Sequence, residues 1–179
     1  MVALALCLGA MTTQGICDEN TKQIIVEAQK IKNSDQPFNI KIQTVDDKKT
    51  YKVGEEVAFL FTADKDCYLY LIDIGTSGKA HVLFPNKFQE DNKVVKGKMY
   101  MVPGKAGKVV FRVNGPEGTN YLKAIATLAP VKSIKEGTPG ERGPFPELTD
   151  PAGTFKDISV ELSKEKDWAE AELSIKVEK

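Results

Sequence analysis

Alternation of apolar and polar residues with a period of two dominates the chain from residue 38 onward. Gly, Pro, Asn and Asp interrupt the alternating segments at regular intervals, as they do between short strands. The pattern predicts about nine short strands. They cover residues 38–42, 57–61, 67–74, 80–84, 99–102, 109–113, 121–128, 155–162 and 168–177.

The last two segments contain residues that also favour helices. In 155–162 the apolar positions are Phe155, Ile158, Val160 and Leu162, and we interpret them as an alternating strand. In 168–177 every second residue from Ala169 to Val177 is apolar, which predicts a strand despite the Ala and Glu content.

These strands predict an all-β domain over residues 38–179. No helical pattern separates them, which argues against parallel βαβ units and leaves a β-sandwich or an open barrel. We expect each strand to have one core face and one wet face. A Pro- and Gly-rich segment at 130–153 is predicted to be a long loop, which is either a solvated excursion or a partner-binding segment.

The chain before residue 38 has a different character. Residues 16–37 form an N-terminal helix or tail, since Ile24, Ala28 and Ile31 recur at helical spacing. Residues 1–15 are an apolar run followed by small residues, which predicts a signal peptide and a periplasmic or secreted protein. The run is too short for a transmembrane span, and it lacks a preceding Lys or Arg, so a truncated start or a buried N-terminal element stays open.

Composition narrows the classes of partner. The 25 Lys and Arg residues balance 25 Asp and Glu residues, so nucleic acid is not an expected partner. No nucleotide-binding glycine motif and no zinc motif occurs, so no cofactor and no metal are predicted.

The cysteines bear on export and on lipid attachment. Neither Cys7 nor Cys17 follows a small residue, which argues against a lipid anchor. Cys17 and Cys67 either pair in an oxidising compartment, or Cys67 is a small core residue in its strand; the second interpretation is favoured.

His81 is the one histidine of the sequence, and a hydrolase would depend on it. Ser77 and Asp73 lie near it across a predicted hairpin at 75–78, but a hairpin brings such residues together without catalysis. With no nucleophile elbow in the sequence, we predict that the protein is not an enzyme.

The candidate interaction surface comprises five residues on the central strand, its hairpin and the loop. They are Tyr68, Tyr70, His81, Phe145 and Pro146. The alternative is that Tyr68 and Tyr70 pack in the core. A pocket for a carbohydrate or small molecule near Tyr68, Tyr70, Tyr100 or Trp168 is a second hypothesis.

Several motifs occur in the order of a known family. They are Tyr-Lys-Val-Gly-Glu at 51–55, Cys-Tyr-Leu-Tyr-Leu at 67–71, Val-Leu-Phe-Pro-Asn at 82–86, and Pro-Glu-Gly at 116–118 before Leu-Lys-Ala-Ile-Ala at 122–126. Together they resemble the bacterial domain-of-unknown-function 4384 family over about residues 38–130. The resemblance implies an exported immunoglobulin-like antiparallel β-sandwich without catalytic residues. We therefore expect a non-catalytic envelope module that binds a protein partner or an envelope polymer.

Overall fold

The structure is a computed structural model that describes residues 19–104, 109–136 and 144–179. These residues form a mostly β fold with eleven strands and three helices. In chain order the elements are α1 (Glu19–Lys30), β1 (Ile40–Thr44), β2 (Thr50–Lys52), β3 (Glu56–Val57), β4 (Phe59–Ala63), β5 (Cys67–Ile74), β6 (Ala80–Phe84), β7 (Lys93–Val94), β8 (Tyr100–Val102), β9 (Phe111–Arg112), β10 (Gly118–Thr127), α2 (Lys132–Glu136), α3 (Pro151–Leu162) and β11 (Trp168–Glu178).

A six-stranded sheet forms the centre of the fold. Its strand order is β2-β11-β10-β5-β6, and β7 pairs with the far end of β5. All neighbours are antiparallel except β2, which runs parallel to β11. The longest pairing joins β10 to β11, from Gly118 opposite Val177 to Thr127 opposite Trp168. The alternating strand predicted at 168–177 is confirmed.

A second sheet packs against one face of the central sheet. It has the order β1-β4-β8, and β3 and β9 form a separate two-stranded ribbon beside it. Leu69, Leu71 and Leu122 of the central sheet share a core with Phe61 and Val102 of the second sheet. The candidate site described below lies between these two packed sheets.

Helices cover the other face of the central sheet. Ile24 of α1 and Phe155 and Ile158 of α3 pack against Ile72 and Ile125 in a second core. The prediction of one core face and one wet face is therefore wrong for the central strands. Strand β5 is buried on both faces because it lies between the second sheet and the helices, which explains its nearly continuous apolar sequence.

The strand predicted at 155–162 is wrong, because these residues belong to helix α3. Asp150 caps the helix, with its side chain accepting a hydrogen bond from the Gly153 amide, and Pro151 follows at the first turn. Phe155 and Ile158 are buried, whereas Val160 is 58% exposed. Burial thus follows the helical spacing and not the alternation.

Helix α2 lies within segment 130–153, for which the sequence predicts one long loop. Helices α2 and α3 therefore separate β10 from β11, where the sequence predicts no helix. Residues 146–148 of the same segment run along the outer edge of β6. The Val82 amide donates to the Pro146 carbonyl, and the Leu148 amide donates to the Ala80 carbonyl, both at 2.9 Å. That edge of the sheet is therefore occupied by the chain itself.

Other local predictions are confirmed. Residues 19–30 are helical, the hairpin after β5 closes with the Gly75 amide donating to the Lys79 carbonyl, and β6 spans 80–84 as predicted. The predicted signal segment 1–15 and Cys17 lie outside the described residues. Cys67 is a buried free thiol in the core between the sheets. Across the described ranges, no helix is both long and apolar enough to cross a membrane.

Candidate functional site

A cleft opens where the space between the two sheets reaches the end of β5. Its volume is about 340 Å³. The central sheet supplies its floor through Asp73 of β5, His81 of β6 and Asn120 of β10, and Phe111 and Phe145 contribute to its wall. All three floor residues lie on the inner face of the sheet, where neighbouring strands carry core leucines.

Asp73 is the unusual residue of this cleft. It occupies an inward position of β5, opposite His81 on one side and opposite Leu122 on the other. Its carboxyl group has no hydrogen bond and no ion pair with any residue that the structure describes. Burial raises its pKa to about 7, because the charged form loses water and gains no partner.

His81 lies on the strand beside Asp73 and contacts a different carboxylate. Its Nε2 is 3.7 Å from Glu147, and Glu147 also binds the ammonium group of Lys79 at 3.2 Å. Burial is the main cause that lowers the pKa of His81, with Lys79 adding to it and Glu147 opposing it. A neutral imidazole therefore faces the cleft at neutral pH.

Contacts with Asn120 and Gly115 hold the hairpin at 75–78, which bounds the cleft, in place. The Thr76 amide donates to the Asn120 side-chain oxygen at 3.0 Å, and both residues are buried. Gly115 packs so closely on this hairpin that a Cβ atom there would lie 2.6 Å from the Thr76 hydroxyl, and its φ is +102°. These contacts restrain Gly75 and Ser77 at the cleft rim.

Aromatic rings form an apolar wall opposite the polar floor. The rings of Phe111 and Phe145 meet edge to face with centroids 4.8 Å apart, and Phe59 lies 6.3 Å from Phe111. Phe88 extends the group at 6.4 Å from Phe145. The cleft thus combines one unpaired carboxyl group with an aromatic surface.

The three residues considered for hydrolysis do come together at this cleft. Asp73, Ser77 and His81 all line it, but no hydrogen bond joins any two of these three side chains. A serine nucleophile and its histidine base normally lie within hydrogen-bond reach of each other. The arrangement seen here does not have the geometry of a charge-relay site.

The structure divides the five predicted surface residues between different places. His81 and Phe145 line the inter-sheet cleft, whereas Tyr70 and Pro146 line a second cavity of about 580 Å³ on the other side of β6. Tyr68 is partly buried beneath Lys93, whose ammonium lies 5.4 Å from its ring. Phe145 and Pro146 border different cavities.

The tyrosines and tryptophan of the small-molecule hypothesis lie away from the inter-sheet cleft. Tyr70 and Trp168 are buried in the second core, between the central sheet and the helices. The Tyr70 hydroxyl accepts from the Val131 amide at 2.9 Å. Tyr100 stacks on Phe61, with centroids 5.5 Å apart. The aromatic surface that the structure presents instead is the phenylalanine wall, which sequence reasoning missed.

One signal in the sequence pointed to the cleft. Asp73 interrupts the inward-facing series of Cys67, Leu69 and Leu71, and a charged residue in such a series is unusual in a core. Asn120 and Phe111 had no comparable signal, because their strands approach β5 only in the folded chain. Within the described ranges, no group of three or more His, Cys, Asp or Glu residues could hold a metal ion.

Comparison with known families gives a match over the part of the chain that contains the cleft floor. The model of a family described as Domain of unknown function (DUF4384) matches residues 50–130. The predicted resemblance is confirmed over this range. The matched segment extends from β2 to the end of β10 and contains Asp73, His81 and Asn120, whereas Phe145 lies beyond it. Neither the comparison with curated proteins nor the comparison with solved structures gives a match.

Proposed function

We propose that this protein is a non-catalytic binding module of a bacterial cell envelope, and that the inter-sheet cleft holds a segment of a protein partner. The observation that carries the proposal is the cleft itself, in which an unpaired carboxyl group faces a wall of phenylalanines. Concave, mostly apolar sites with a few convergent polar groups are the usual form of binding sites. An envelope polymer is the alternative occupant.

The proposal includes the finer fold and the cellular location. The packing of two sheets supports an immunoglobulin-like sandwich as the family framework, with helices added to its outer face. The apolar run at 1–15 supports export to the periplasm or secretion. The occupied edge of β6 favours the cleft over strand addition at that edge.

The non-catalytic part of the proposal rests on the contacts of His81. Glu147 lies near its Nε2 and Lys79 also acts on it, while the Ser77 hydroxyl has no hydrogen bond to a base among the described residues. General-base catalysis requires a base within hydrogen-bond reach of the proton that it abstracts. The same residues are well placed to line a binding surface.

Photo-crosslinking in cells that express the full chain tests the binding site. A benzophenone amino acid is placed at Ser77 or Val110, which both line the cleft, and at Val160 as the control on the opposite, helical side. We expect one envelope protein, identified by mass spectrometry, to crosslink from both cleft positions and not from Val160. Equal products from all three positions, or none from the cleft, would contradict the proposal.

A further inference from the structure

The charged groups that line the cleft differ in whether they have an ion-pair partner. Among the described lining residues the ionisable groups are Asp73, Lys79, His81 and Arg112. Arg112 is paired with Glu56 at 2.7 Å, and Lys79 is paired with Glu147 at 3.2 Å.

His81 is no countercharge for Asp73 either, because burial lowers its pKa and keeps the ring neutral. Asp73 is therefore left without a countercharge. Of the other ionisable residues that line the cleft, His81 lies on β6, Lys79 ends the hairpin and Arg112 lies on the ribbon, and none of these three groups forms an ion pair or a hydrogen bond with the Asp73 carboxyl group. A charged carboxylate that is partly removed from water is costly without a partner.

We propose that the cleft binds a lysine side chain of the protein partner, with its ammonium group on the Asp73 carboxylate and its alkyl stem along the phenylalanine wall. This inference rests on the proposed function and specifies the chemistry of the segment bound.

The shape and chemistry of the cleft favour lysine over other cations. An ammonium has three donors on a narrow apolar stem, which suits a cleft with one free carboxylate and mostly apolar walls. An arginine guanidinium has five donors and needs more acceptors than one carboxylate supplies. The side-chain oxygen of Asn120, which also lies on the cleft floor, already accepts from the Thr76 amide. Phe111 and Phe145 add a surface that can attract a cation.

The same arrangement predicts how binding changes with pH. Because the pKa of Asp73 is raised to about 7 in the free protein, the carboxylate is largely charged at pH 8 and largely neutral at pH 6. A lysine ammonium stays charged across this interval, and burial lowers the pKa of His81, which works against protonation of its ring. Affinity should therefore fall roughly tenfold from pH 8 to pH 6.

Titration of the full chain by NMR with short capped peptides tests the inference. The probes are acetyl-Gly-Lys-Gly-amide, the same peptide with norleucine, the same peptide with arginine, and a glucosamine oligomer as the polymer amine. We expect the lysine peptide to shift the amide signals of Gly75 and Asn120 and to bind at least about tenfold more tightly than the other three probes.

Variants of the protein connect the result to Asp73. Asp73→Asn should weaken the lysine peptide at least about tenfold and abolish the pH dependence, whereas His81→Gln should keep that dependence. Asp157→Asn, at an exposed carboxylate of α3, is the matched control and should bind as the unchanged protein does. Equal affinity for the norleucine, arginine or sugar probe, or unchanged binding by Asp73→Asn, would overturn the lysine assignment.

The two proposals fail in distinguishable ways. Norleucine or sugar binding at Gly75 and Asn120 would keep the cleft as a binding site and reject lysine as its occupant. A cleft that gives neither crosslinks nor peptide shifts would reject both.

Discussion

At the scale of single residues, strands β5 and β10 of the central sheet each contain one charged side chain, and the fold accommodates the two differently. Lys123 is fully buried on the helix side, and its ammonium binds Glu170 at 2.7 Å and Glu172 at 2.8 Å. Asp73, on the other face, has no partner within the described residues. A paired buried charge is structural, whereas an unpaired charge in a cleft is a candidate for binding.

The raised pKa of Asp73 makes a prediction about stability. An acid whose folded pKa lies above its unfolded value contributes stability that is complete below the unfolded pKa of about 4 and is lost as the pH rises through the folded value. The folded value is about 7. Asp73→Asn should therefore be more stable than the unchanged protein at pH 8, by roughly 1–2 kcal/mol, since water still reaches the carboxyl group. At pH 4.5 the two proteins should differ little.

Urea unfolding at pH 4.5 and pH 8 measures this difference, with Asp157→Asn as the exposed control that should follow the unchanged protein at both values. A variant at Asp73 that is less stable at pH 8 would show that the carboxylate has a favourable partner in the folded chain.

At the scale of elements, α3 shows how one apolar pattern fits two structures. Ile158, Val160 and Leu162 alternate as in a strand, while Phe155, Ile158 and Leu162 also lie on one face of a helix. The deciding local feature is the start of the helix at Asp150 and Pro151, where the capping hydrogen bond forms. The helix buries Phe155, Ile158 and Leu162 and leaves Val160 exposed.

Truncation of two neighbouring apolar residues tests this assignment. Ile158→Ala should destabilise the fold by about 2–4 kcal/mol, because it leaves a cavity under the helix. Val160→Ala should change the free energy of unfolding by less than about 0.5 kcal/mol, because the side chain is exposed. Chemical denaturation of both variants measures the contrast. Equal losses would contradict the helical face and favour an alternating strand.

At the scale of the whole molecule, the central sheet is covered on both sides and its two cores are separate. The second sheet closes the core that contains Cys67, and α1 and α3 close the other. Burial raises the pKa of the Cys67 thiol to about 11, with Asp66 and Asp64 adding to the effect. A buried thiol with such a pKa reacts only when the layers open.

Thiol labelling therefore reports the opening of this core. With Cys7 and Cys17 replaced by serine, Cys67 should react with a disulfide reagent at pH 8 at least about a hundredfold more slowly than in the urea-unfolded chain. The control is Ser77→Cys in a chain with Cys67→Ala, because Ser77 is exposed on the hairpin. Similar rates for Cys67 and the hairpin cysteine would indicate that the second sheet does not cover the thiol.

The sequence by itself determined the β architecture, because alternation and turn residues act over a few neighbours. It located β5, β6 and β11 and the hairpin at 75–78, and its motif order predicted the resemblance to the family whose model matches residues 50–130. It also contained Asp73, the charged residue that interrupts the apolar inward-facing positions of β5. These features are local, so the chain alone is sufficient to recognise them.

Only the tertiary structure decided which faces meet. Strand β5 pairs with β10 about fifty residues later, and Phe145 reaches the same cleft from a still more distant segment. The double covering of the central sheet and the unpaired state of Asp73 both follow from such long-range contacts. Their physical reason is common: burial and pairing depend on what the fold brings near a residue, and not on its neighbours along the chain.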